Sequence, residues 1–69
     1  MEEHVYKKIE VVGSSDASIE YAIQNAISKA GVTLRRLCWF EVIETRGQIE
    51  DGKVAYWQVT LKISFSVEN

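Results

Sequence analysis

Proline is absent from the 69 residues, and cysteine and histidine occur once each. The single thiol, Cys38, has no partner inside the chain, so the intramolecular disulfide framework of many small folds is excluded. With His4 as the only other soft ligand, a four-coordinate structural zinc site is excluded too. Neither sign of charge dominates: eight Lys and Arg stand against ten Asp and Glu, giving a pI of about 5.3. There is thus no basic field to attract nucleic acid or an anionic membrane. No apolar run approaches the roughly 20 residues that cross a bilayer. The opening Met1-Glu2-Glu3-His4 is acidic and leads into no signal-peptide apolar core, so we expect a reduced, cytoplasmic compartment.

What remains is an ordinary globular composition, 46% hydrophobic and 26% charged, far from that of disordered chains. A chain this short buries only about 60% of the surface its unfolded form exposes. Disulfides and metal being excluded, association with other subunits is the route left to complete its core. We expect one domain, 1–69, that forms a homo-oligomer.

Hydrophobic periodicity orders the elements. Residues 5–12 are β-rich, with Val5, Ile9 and Val11 on one parity. Gly13-Ser14-Ser15-Asp16 then predicts the end of a strand and oxygen atoms to cap a helix. Ile19, Ala22, Ile23, Ala26, Ile27 and Ala30 form one apolar stripe at helical spacing. Acidic Asp16 and Glu20 suit the positive N-terminal end of that helix, Lys29 suits its C-terminal end, and Gly31 is the natural residue to close it. Two long strands follow at about 33–50 and 53–67, joined by Asp51-Gly52, a two-residue hairpin signal. In the last strand Trp57, Val59, Leu61, Ile63, Phe65 and Val67 alternate with polar residues, so one face is core. The predicted fold is α+β, in the order β-α-β-β: a three-stranded antiparallel sheet packed on one helix. Gly47 predicts a bend or bulge in an overlong strand. There are no repeats, low-complexity stretches or linkers.

The turn sets the register. Glu50 opposite Lys53 places Phe40 opposite Ile63 and Val42 opposite Leu61, which joins the apolar parities. On the same reckoning Trp39, Glu41, Ile43 and Thr45 share the face of Gln58, with Thr45 opposite Gln58. Trp39 therefore points away from the helix. A lone subunit has no second layer there, so the indole is either wet or covered by another subunit, where it offers a surface for a flat heteroaromatic ring. The Gln58 amide matches the donors and acceptors on the edge of an isoalloxazine or pyrimidine ring; a solvated polar residue is the ordinary alternative. Trp39 and Gln58 lie roughly 20 Å apart along such a strand pair, so a shared site needs sheet curvature or a second protomer. Arg46 suits a phosphate, or else a surface ion pair with Glu44. Arg35-Arg36 and Lys7-Lys8 read as solvated cations, and Tyr6 shares the parity of Lys8.

Catalytic constellations are missing. Cys38 falls on core parity without a histidine beside it, which predicts a buried, inert thiol. His4 is near a terminus, and the carboxylates are scattered. Gly13-Ser14-Ser15 belongs to no dinucleotide or Walker-type loop.

Four segments together resemble one family: the run from Val5 through Ser15 (VYKKIEVVGSS), then Leu37-Cys38-Trp39-Phe40-Glu41-Val42, then Thr45-Arg46-Gly47, then Trp57-Gln58-Val59-Thr60-Leu61-Lys62. In this order and at this length they look like the dodecins, across nearly the whole chain. The resemblance implies a flavin-binding hollow homododecamer that is not an enzyme. It implies that Trp39 stacks on the isoalloxazine, with two flavins held between two such indoles at a two-fold interface. It further implies that Gln58 hydrogen-bonds the ring edge and that Arg46 and Glu44 lie near the ligand, FMN or riboflavin. The expected role is to store flavin and quench its photochemistry. Some bacterial members also bind coenzyme A, which would involve Tyr6-Lys7-Lys8. One departure is Ser66, where several bacterial relatives carry an arginine after the final-strand phenylalanine; it bears on phosphate affinity and on the choice between FMN and riboflavin.

Two alternatives come from other classes. One is a structural shell with incidental flavin, distinguished by colourless protein from a flavin-replete host. The other is a small flavin-dependent reductase, distinguished by turnover of reduced nicotinamide.

Overall fold

The computed structural model describes residues 3–67; Met1 and Glu2 of the acidic opening lie outside the described residues. Strand β1 (Val5–Ser15) is followed by helix α1 (Ile19–Thr33), strand β2 (Leu37–Glu50) and strand β3 (Lys53–Val67). The sheet order is β1-β3-β2, so the last strand is the central one. It pairs antiparallel with both neighbours. The predicted β-α-β-β architecture stands, and the helix lies on the face that carries Val59, Leu61 and Ile63.

Boundaries differ from the sequence expectation for local reasons. β1 does not stop before Gly13 but runs to Ser15. The helix cap is Ser18, whose Oγ accepts from the Tyr21 N–H at 3.0 Å. Ser15 supports the approach instead, its Oγ accepting from the Ala17 N–H at 2.9 Å. At the other end Gly31 does not close the helix: the coil continues to Thr33, and the Leu34 N–H donates to the Ala30 carbonyl at 3.0 Å. That extra turn moves the start of β2 from the expected residue 33 to Leu37. The Asp51-Gly52 turn is as predicted, with φ of 51° and 75° at its two residues, the left-handed pair that matches strand twist.

The core is small. Ala22, Ala26 and Ala30 of the helix meet Val59, Leu61 and Ile63 of the central strand. Gly13 permits this closeness. A methyl group at Gly13 would stand 2.0 Å from the Ala22 carbonyl oxygen and 2.9 Å from the Ala26 Cβ. Gly13 is therefore a helix contact inside β1, not a turn residue.

The helix packs on β1 and β3 and leaves β2 uncovered. Apart from half-buried Leu37, every residue of β2 is exposed, Phe40 and Val42 included. Helix-side apolar parity is met, but no element among the described residues packs over it. A shallow apolar depression lined by Ile27, Leu37, Cys38, Trp39, Phe40 and Ile63 opens beside it. The hairpin is nearly straight: fifteen residues of β3 reach about 50 Å at the usual rise, which accounts for most of the 56 Å long axis.

Candidate functional site

Three register shifts decide which side chains of β2 face which way. Going along β2, Cys38 and Ile43 have no partner on β3, and further on Ala55 of β3 has none on β2. Each unpaired residue reverses the alternation beyond it. Between the Cys38 and Ile43 bulges the expected register holds: Trp39 is opposite Ser64, Phe40 opposite Ile63 and Val42 opposite Leu61. After it, Glu44 is opposite Thr60 and Arg46 is opposite Gln58.

This corrects the uninterrupted register, in which Ile43 and Thr45 shared the face of Gln58. Thr45 is opposite Val59 on the helix side instead. The bulge thereby brings Trp39, Glu44, Arg46 and Gln58 to a single face, the one turned away from the helix. Gly47, expected at a bend, lies just before the third shift, and a methyl group there would stand 2.9 Å from the Tyr56 carbonyl oxygen.

The four residues share a face without sharing a point. Arg46 and Gln58 are cross-strand neighbours, and Glu44 is two residues from Arg46. Trp39 lies six residues along β3 from that group, roughly 20 Å at the usual strand rise. Because the hairpin is straight, its own curvature does not close the gap. Among the described residues, no ion pair joins Arg46 to Glu44.

Trp39 is 43% exposed in the single chain. Its ring meets that of Tyr6, with centroids 4.9 Å apart and planes inclined at 62°. Nearby, Lys8 Nζ donates to Glu41 Oε1 at 2.5 Å, tying β1 to β2 across the central strand. The Lys8 hydrogen bond and charge, with a further contribution from Lys62, hold the Glu41 carboxyl below its ordinary value. By sequence, Tyr6 and Lys8 belong to the coenzyme A surface that the resemblance implies and not to the flavin site. Their parity was legible, but their place beside Trp39 depends on β3 lying between β1 and β2.

Cys38 departs from expectation. It occupies the first bulge, is exposed, and its Sγ donates to the Arg36 carbonyl at 3.2 Å. Cys38 lines the open depression beside Ile27, and it is exposed because the helix does not extend over β2.

The family model described as Dodecin matches residues 5–68. The chain belongs to the dodecin family. A dodecin of Thermus thermophilus is 50% identical over 64 residues, 93% of each chain. The structure of dodecin from Streptomyces coelicolor superposes with a TM-score of 0.95 at 52% identity, covering 100% of this chain and 99% of that one. A more distant dodecin, from Mycobacterium tuberculosis, is described as calcium-chelating with a novel calcium-binding site; it superposes with a TM-score of 0.81 at 29% identity, over 93% and 91% of the two chains. Among the described residues of the present chain, no group of three or more His, Cys, Asp or Glu side chains is placed to hold a metal ion. Among the described residues, no helix is long and apolar enough to cross a membrane.

Proposed function

We propose that this chain is a cytoplasmic flavin-binding storage protein, not an enzyme, which holds FMN or riboflavin between subunits of a homododecamer. The observation that carries the reading is the Ile43 bulge, which puts an indole, a guanidinium, a carboxylate and an amide on one face free of the helix. The set fits the ligand class. Trp39 offers a flat apolar surface for a fused ring, Gln58 a donor and acceptor for the ring edge, and Arg46 a planar fork for a phosphate. When bound, the flavin is the light-absorbing and redox-active group, and an electron-rich indole against it dissipates the excitation.

Assembly follows from what the single chain leaves open. Trp39 and Gln58 are too far apart on one straight hairpin to hold one ring, so residues of two copies must complete the site. The hairpin leaves Phe40, Val42, Ile43, Ile49, Val54 and Tyr56 exposed, apolar side chains that a partner subunit would cover. Burying that surface in a closed shell supports the core that a short chain lacks. The residues of β2 then exclude water from the ring and leave no open side for a second substrate. Coenzyme A against Tyr6, Lys7 and Lys8 remains a further proposal, carried by the family resemblance alone.

One measurement tests ligand and assembly together: the visible absorption spectrum and light-scattering mass of purified protein after incubation with FMN. A bound flavin spectrum at a mass near twelve times 7.9 kDa is expected. A colourless monomer overturns the proposal.

A further inference from the structure

Building on the reading of Trp39 as the stacking surface, we infer that Tyr6 is the residue that positions its indole, and that Ser64 is kept small to let the two rings meet. Tyr6 and Trp39 stand on β1 and β2, which are not neighbours. With β3 between them, their backbones lie about 10 Å apart, two strand spacings. Their ring centroids are nevertheless 4.9 Å apart, in an edge-to-face arrangement. Both side chains lean across the central strand.

What lies beneath them allows it. Tyr6 is opposite Ser66 and Trp39 is opposite Ser64, so β3 offers two of its smallest side chains at the crossing. Ser64 is completely buried although it faces away from the helix, and its hydroxyl finds no hydrogen-bond partner among the described residues. A buried, unpaired hydroxyl is unfavourable, so polarity does not explain a serine there. Size does: a branched or longer side chain at 64 would wedge the rings apart. The Lys8–Glu41 pair makes a second tie between the same two strands.

The edge-to-face contact limits rotation of the indole toward β1 and leaves its remaining surface exposed. A platform held in place before the ligand arrives loses less freedom on binding. Tyr6 need not touch the ligand to act; it acts through Trp39.

The test uses the whole assembly in a Trp57→Phe background, which leaves Trp39 as the one remaining tryptophan of two. Two quantities are read at a confirmed, unchanged light-scattering mass. One is the time-resolved fluorescence anisotropy of Trp39 without ligand, and the other is the affinity for FMN. Tyr6→Ala is expected to loosen the indole and to weaken FMN binding about three- to tenfold, the worth of one aromatic edge contact. Ser64→Leu, with Tyr6 intact, is expected to do the same, and Tyr6→Phe to restore both quantities to the parent values. Unchanged anisotropy in Tyr6→Ala and Ser64→Leu would overturn the inference, and FMN binding in the parent would then still support the flavin reading. Conversely, a parent that binds no FMN, with Trp39 loosened in Tyr6→Ala, removes the flavin reading and leaves the positioning role standing.

Discussion

Arg46 faces Gln58 directly across the β2–β3 pair, because Ile43, three residues earlier in β2, has no partner. One unpaired residue thus converts a strand with its charged residues on two faces into one that gathers Trp39, Glu44 and Arg46 on a single side.

That register is open to chemical test. Directly opposed side chains have Cβ atoms about 4.5–5.5 Å apart, close enough for a small adjustment to form a disulfide. In a Cys38→Ser background, Arg46→Cys with Gln58→Cys is expected to cross-link on mild oxidation. Thr45→Cys with Gln58→Cys is expected to stay reduced, since Thr45 is on the opposite face. Mass spectrometry of the alkylated protein distinguishes them, and the reverse pattern would restore the uninterrupted register.

Trp39→Ala removes the proposed stacking surface while leaving the helix–sheet core untouched. FMN affinity is expected to fall by at least about tenfold, with the light-scattering mass unchanged. A flavin-fluorescence titration that matches the parent protein would show that the indole is not the platform.

Gly13→Ala places a methyl group into the Ala22 carbonyl and the Ala26 side chain. The Ala22 backbone cannot move aside without shifting the helix, so a cost toward the upper part of the roughly 1–3 kcal/mol range for overpacking is expected. The urea midpoint should drop accordingly. A midpoint equal to that of the parent would mean that the helix does not sit on β1 as described.

Glu41 makes a pH-dependent contribution of known sign. Its carboxyl is held below the ordinary value of 4.5 mainly by the Lys8 hydrogen bond and charge. A carboxylate with a lowered folded-state pKa stabilises the fold above its unfolded value, and that stabilisation disappears as pH falls through the lowered value. The stability difference between the parent and Glu41→Gln should therefore be constant near neutrality and shrink below pH 4.5. Both partners are well exposed, so the difference is small and weakens with salt. Paired urea melts at neutral and acid pH, at low ionic strength, measure it; a difference that grows on acidification would contradict the assignment.

Sequence periodicity by itself determined the α+β class, the order of elements, the helix stripe, the Asp51-Gly52 turn and the outward face of Trp39. These depend on local chemistry and on alternation counted over short distances, where each side chain's direction follows from that of its neighbour. The strand order, with β3 in the middle, was beyond it. So were the bulges at Cys38 and Ile43, because an unpaired residue is defined only by the partner strand it fails to meet. Tertiary structure alone therefore decided that Arg46 stands opposite Gln58, that Cys38 is exposed, that Gly13 is a contact for the helix, and that Tyr6 reaches Trp39 over Ser64. Side-chain alternation is a property of one strand, whereas register and adjacency are properties of strands in pairs.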